Sequence, residues 1–99
     1  MPRLLAIGHV SWDRREGKDV LGGSVSYAAR TAQRLDWGAG ILTAAAADFE
    51  PARDLPEVAA FVRESSATTR FTNVYGGGVR SQVLSARAAD IDLSPLADT

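Results

Sequence analysis

The 99-residue chain is 45% hydrophobic and 23% charged, with a formal net charge of -1, which fits one small soluble domain. That near-neutral balance lacks the basic excess that draws nucleic acid or an anionic membrane, so neither is expected as a partner. The absence of cysteine excludes disulfides, thiolate metal sites and cysteine nucleophiles and fits a reducing cytoplasm, where the protein is expected to reside.

Leu4 to Val10 is a short continuous apolar run. It reads as a strand buried on both faces, with Gly8 marking a close backbone approach or the strand's end. The apolar start is too brief for a signal peptide, and no run reaches membrane-spanning length. Ser11 to Asp19 is polar with a turn at Gly17, so two short strands are expected to return through Val20 and Leu21. Gly22, Gly23 and Ser24 then open a helix. Val25, Ala28, Ala29, Ala32 and Leu35 recur at helical spacing and form its buried face. Ser24 reads as the N-cap, and Gly38 suits the left-handed residue that closes the helix. Ile41 to Ala46 is a second buried strand, although its alanines leave helix open. Strand, helix and strand make one right-handed βαβ crossover.

Ala47 to Pro51 is a turn, after which Pro56 and Glu57 open a second helix with Val58, Ala59, Phe61 and Val62 as its apolar face. Thr68 to Tyr75 alternates and is rich in β-formers, Gly76 to Gly78 turns, and Val79 to Ala86 alternates in part. Together they read as an antiparallel hairpin. Residues 89–99 are loop and turn.

Gly22 and Gly23 let the backbone bend sharply and approach a ligand. A helix start with spare N–H groups suits an anion or a row of hydroxyls, and a ligand-free strand-to-helix turn uses the same residues. Asp13 directly follows the first strand, where the ligand crevice of an open α/β sheet lies. A carboxylate there can accept from two neighbouring hydroxyls of a polyol; taken alone it is also an ordinary solvated turn residue. His9 is the only histidine and has no cysteine to join it, so no metal site is read on it. Gly76 to Gly78 lacks the spacing of a dinucleotide fingerprint, and Gly17-Lys18 is followed by Asp19 rather than Ser or Thr, so no phosphate-binding loop is read. Trp12 and Trp37 read as packing residues, and Arg70 and Arg80 as a solvated face of the hairpin.

In order and spacing, these pieces resemble the N-terminal part of a ribokinase-like (PfkB) carbohydrate kinase. Ile7-Gly8-His9-Val10-Ser11-Trp12-Asp13 resembles that family's first strand and the polar-x-Asp sugar contact after it. Leu21 to Ala29 is similar to its Gly-Gly substrate loop and following helix, and Ala45-Ala46-Ala47-Asp48-Phe49 to its Val-Gly-x-Asp-Phe segment. Thr69 to Tyr75 with Arg80-Ser81-Gln82 looks like the hairpin that returns to the lid.

The resemblance implies an α/β fold, the N-terminal part of a ribokinase-like fold with a βαβ core and small antiparallel lid strands. Residues 1–99 would form an incomplete domain of this kind, with lid elements at about 11–22 and 69–86. It also implies ATP-dependent phosphorylation of a hydroxyl on a sugar, nucleoside or cyclitol. Asp13 would bind substrate hydroxyls, Ser11 would take the place of the polar residue two before it, and Gly22, Gly23 and Ser24 would present backbone and side-chain groups. Phe71 and Asn73 would lie near the substrate on the lid. Tyr27 stands where ribokinases proper carry asparagine, which points away from ribose itself. The family's catalytic aspartate and ATP site lie near the C-terminus of a chain about three times this long, and no residue here matches them. The expectation is therefore no catalytic residue and no metal site in residues 1–99, no binding of ATP or Mg2+ by them alone, and no turnover. The alternative reading is a binding or dimerisation module that pairs with a second copy through its lid strands.

Overall fold

Two sheets and one long helix organise residues 2–98, the residues that this computed structural model describes. The chain runs β1 (Arg3–Ile7), β2 (Ser11–Arg15), β3 (Lys18–Gly22), α1 (Ser24–Arg34), β4 (Gly38–Ala45), α2 (Pro51–Asp54), β5 (Ala59–Glu64), β6 (Thr69–Gly76) and β7 (Val79–Ala86), followed by a 3-10 turn at Ser94–Asp98. One sheet has the order β1-β4-β5 and is parallel throughout, with Ile7 opposite Leu42 and Leu42 opposite Phe61. The other has the order β3-β2-β6-β7. Two antiparallel hairpins build it, β2 with β3 and β6 with β7, joined by parallel pairing of β2 with β6. Each hairpin turns on two residues of positive φ, Glu16-Gly17 and Gly77-Gly78, the backbone twist that two-residue hairpins favour.

Helix α1 lies over β4 and β1 and buries Val25, Ser26, Ala29 and Ala32. The core is Val10, Leu21, Val25, Ala29, Ile41, Ala45, Phe49, Leu55 and Val58, with Trp12 and Ala60 packed at its margin. Leu35, expected on the buried face, is 58% exposed, because the helix ends just before it. The closing left-handed residue is Asp36 (φ 59), not Gly38. Its N–H bonds to the Gln33 carbonyl and that of Trp37 to the Ala32 carbonyl, the double closure of a Schellman motif. Gly38 is already the first residue of β4, opposite Arg3.

Two further expectations are corrected. The first strand stops at Ile7 rather than Val10, and it is not buried on both faces: Leu5 and Ile7 are 44% and 48% exposed. Helix α1 covers one face of β1, so burial alternates along the strand. The second helix does not form at Pro56. A single turn forms earlier, with Pro51 at its start, and Ala59–Glu64 is a strand beside β4. The apolar run from Val58 to Val62 has strand length and includes valine and phenylalanine, and pairing with β4 satisfies backbone groups that a short isolated helix would leave open. The described residues after β7 are loop and turn, as expected, with the 3-10 turn among them.

The segment after β7 is tied back to the first sheet. His9 Nε2 donates to the Ala89 carbonyl at 2.8 Å, Ala89 N–H donates to Ser65 Oγ at 2.9 Å, and Arg63 Nη1 donates to the Asp90 carbonyl at 2.7 Å. Among the described residues, no helix is long and apolar enough to cross a membrane. Ile41 is fully buried whereas Phe61 is 53% exposed. Ile41→Ala is therefore expected to cost about 2–5 kcal/mol in urea unfolding, and Phe61→Ala under about 1 kcal/mol; equal costs would mean that β5 is covered.

Candidate functional site

The Gly22-Gly23 turn connects β3 to α1 and passes against the connection from β1 to β2. Gly23 has φ 90, and a Cβ built on it would meet the His9 carbonyl oxygen at 2.5 Å. A Cβ on Gly22 would overlap the Asp13 carboxylate. Gly23 admits no side chain, because the atoms it would strike are backbone, and a side chain at Gly22 would have to displace the Asp13 carboxylate. Ser26, buried and unremarked in the sequence, donates its hydroxyl to the Gly22 carbonyl at 2.9 Å and so fixes that peptide from inside the helix. Val10 N–H donates to Thr43 Oγ1 at 3.0 Å and fixes the opposing chain to β4.

Asp13 is only 8% exposed. Its Oδ1 accepts from Ser11 Oγ at 3.0 Å, and Arg15 Nη2 stands 4.0 Å from Oδ2. An ionised carboxylate accepts several hydrogen bonds and donates none, so a buried one with capacity left over suits hydroxyl donors. Across the parallel pairing Asp13 is in register with Phe71, and Ser11 is in register with Gly22 on its other side. Asn73, 8% exposed, lies two residues beyond Phe71 and thus on the same face of β6. Ser11, Asp13, Gly22, Phe71 and Asn73 therefore share one face of the four-stranded sheet. Ser24 and Tyr27 are on the opening turns of α1, both exposed. Ser24 is not the N-cap: Gly23 is, and no side chain caps the helix. With Gly23 held at positive φ against His9, the residue after it already lies inside the helix.

The opposite face of the same sheet carries a network that sequence reading missed. Arg70, expected in solvent, is 29% exposed and bonds two carboxylates, Asp19 Oδ2 on β3 at 2.9 Å and Asp48 Oδ2 after β4 at 3.2 Å. Asp48 also accepts from Thr68 Oγ1, which in turn accepts from Ala46 N–H. Trp12, Asp19, Asp48, Arg53, Asp54 and Arg70 line a crevice of about 400 Å3 there. A larger cavity of about 600 Å3, around Ala45–Ala47, Phe49 and Pro51, contains none of the candidate residues. Among the described residues, no group of three or more His, Cys, Asp or Glu could hold a metal ion.

No protein-family model and no curated protein matches the chain. Solved structures do. A pyrophosphate-dependent kinase in the ribokinase family, complexed with a pyrophosphate analogue and myo-inositol, is similar with TM-score 0.72 and 29% identity, over 94% of this chain and 35% of that one. A sulfate complex of a pyrophosphate-dependent kinase in the ribokinase family gives 0.72 and 28%, over 94% and 36%. A pyrophosphate-dependent myo-inositol-1 kinase converted into a myo-inositol-3 kinase by a two-residue mutation gives 0.67 and 24%, over 94% and 34%, and is similar in fold. The chain thus spans about a third of the length of the ribokinase-family structures it matches, and it has the N-terminal part of a ribokinase-like fold.

Two outcomes check this geometry. Gly23→Ala is expected to cost at least about 2 kcal/mol through strain and overlap with His9; Ser24→Ala, lacking a cap to lose, is expected within about 0.5 kcal/mol. A loss near 1 kcal/mol at Ser24 would restore it as the cap. Separately, the hydrogen bond from Arg53 holds the Asp54 carboxyl below its ordinary 3.8. Its contribution is complete above that pH and fades as the pH falls through the lower folded-state value. Asp54→Asn should flatten the acid limb of the stability profile, and an unchanged limb would show that the pair contributes nothing.

Proposed function

We propose that residues 1–99 supply the acceptor-binding part of a ribokinase-family kinase whose substrate is a polyol of the cyclitol or sugar class. The observation that carries this reading is Asp13. It is a nearly buried carboxylate that has one oxygen on Ser11 and Gly22 backbone against it, with Phe71 beside it. Burying such a charge is costly unless donors surround it, and a row of hydroxyls supplies them. Ser11, Gly22, Gly23, Ser24, Tyr27, Phe71 and Asn73 complete the proposed site around it, and the four-stranded sheet is its lid. Myo-inositol is the ligand named for a similar structure, and it has the vicinal hydroxyls that a carboxylate can accept from in pairs.

The phosphate donor is a separate matter. The family resemblance alone implies ATP with Mg2+, whereas the similar structures are of pyrophosphate-dependent kinases, which favours pyrophosphate. Phosphoryl transfer needs cations against the developing charge and a base for the attacking hydroxyl. No aspartate of residues 1–99 stands at a glycine-rich helix start. In this reading they bind the acceptor and do not turn it over by themselves.

The second reading, self-association through the lid, is favoured by one feature. Strand β7 is an edge of its sheet, and Val83 and Leu84 on it are 53% and 52% exposed. Unpaired edge groups with apolar neighbours invite another strand.

Calorimetric titration with myo-inositol tests the first reading. Asp13→Asn is expected to weaken binding at least about tenfold, the scale of a hydrogen bond to a charged group, with the fold retained. Binding unchanged by the substitution would overturn it. Absence of binding in the unaltered chain, together with a concentration-dependent dimer in sedimentation, would put the second reading first.

A further inference from the structure

We propose that Arg70 is a positioning residue: it braces the four-stranded sheet against the end of the three-stranded one and so sets where Asp13 and Phe71 stand. This inference rests on the acceptor-site reading above.

The two sheets are joined by chain connections at one end of the four-stranded sheet, where Ser11, Gly22, Thr69 and Ala86 begin or end their strands. A sheet held only along one end can rock about it. Arg70 lies one residue inside that end. Its guanidinium reaches across β2 to Asp19 on β3 and, with its other nitrogen, to Asp48 beyond β4. Among the described residues, Arg70–Asp48 is the only ion pair that links the four-stranded sheet to the segment following β4. Asp48 is itself anchored: Ala46 N–H holds Thr68 Oγ1, and Thr68 holds the other carboxylate oxygen. A continuous path thus runs from Ala46, just past β4, through Thr68, Asp48 and Arg70 by hydrogen bonds and on to β3 by the Arg70–Asp19 ion pair.

The consequence for the site follows from register. Trp12 is opposite Arg70, and the next pair along is Asp13 with Phe71. Successive residues face opposite sides, so Arg70 works on one face while Asp13 and Phe71 point to the other. Arg70 touches neither the proposed ligand nor Asp13. By fixing β3 and β6 on either side of β2, it fixes the strand that carries Asp13. A planar guanidinium spreads five donors over a fork and reaches two separated carboxylates from different nitrogens, whereas an ammonium offers a single compact centre.

The test compares the unaltered chain with Arg70→Met, Arg70→Lys and Asp48→Asn by amide hydrogen exchange and by titration with myo-inositol. The expected result is exchange roughly two- to fivefold faster in β2, β3 and β6, the scale of a partly exposed ion pair, with β1, β4 and α1 unchanged. Arg70→Lys should fall between, and myo-inositol affinity should drop in step with exchange. Should Arg70→Met not fold, Asp48→Asn removes the link to the first sheet and leaves Arg70 on Asp19. Exchange unchanged in every variant, or raised equally in both sheets, would overturn the brace. Faster exchange with undiminished myo-inositol binding would overturn its positioning role. If the unaltered chain binds no myo-inositol, the acceptor reading fails, and the exchange pattern alone decides whether Arg70 braces the sheet.

Discussion

Two stretches of backbone meet where almost nothing separates them: Gly22-Gly23, leaving β3 for α1, and His9-Val10-Ser11, leaving β1 for β2. Side-chain atoms at either glycine would strike His9 or Asp13. A third close approach supports the first two, since a Cβ on Gly8 would stand 2.8 Å from Val25 on α1. The first sheet, the helix and the four-stranded sheet all diverge from this crossing. Ser26 on one side and Thr43 on the other hold the two strands of the crossing by buried hydrogen bonds. Asp13 lies two residues past it, and its position relative to the start of α1 is a consequence of how tightly the chains cross.

Residues whose partners are near in sequence were legible. Both hairpins are marked by glycine at their turns, and the α1 face by Val25, Ala29 and Ala32, three of the five small or apolar residues at helical spacing. The Gly-Gly pair marked the crossing because Gly23 has positive φ against the His9 backbone and Gly22 lies against the Asp13 carboxylate. Elements that depend on distant partners were not legible. β5 reads as the apolar face of a helix until β4 is placed beside it, since five apolar residues carry no periodicity that separates the two. Asp36 took the closing position from Gly38 because β4 begins at Gly38 and the turn had to finish earlier. Arg70 looked like surface because Asp19 and Asp48 are remote in the chain and come together only when β2 pairs with β6. An arginine within a run of β-formers was the one signal the sequence carried.

The candidate site and the Arg70 network use the two faces of one sheet, and their chemistry differs accordingly. On the Asp13 face, a carboxylate is nearly removed from water and partly satisfied by Ser11, with Arg15 at the edge of reach. That arrangement leaves the carboxylate with acceptor capacity beyond Ser11, the property on which the proposed polyol site rests. On the Arg70 face, the guanidinium is matched by carboxylates on both sides. In the proposed reading the Asp13 face is completed by the ligand, whereas the Arg70 face is matched within the chain.

This division bears on how a polyol could be discriminated. Hydroxyl groups differ little in strength as donors, so selection among them depends on where the acceptors stand. An acceptor on a strand that could tilt by an ångström would distinguish isomers poorly, because each would find some tolerable pose. In the proposed site, rigidity on the Arg70 face would therefore translate into selectivity on the Asp13 face. The glycine crossing fixes one end of β2, and the Arg70 bridge fixes the strands on either side of it. With both constraints, the separation between Asp13, Phe71 and the backbone at Gly22 is set by the fold before any ligand arrives, which is what a site that must distinguish one hydroxyl from its neighbour requires.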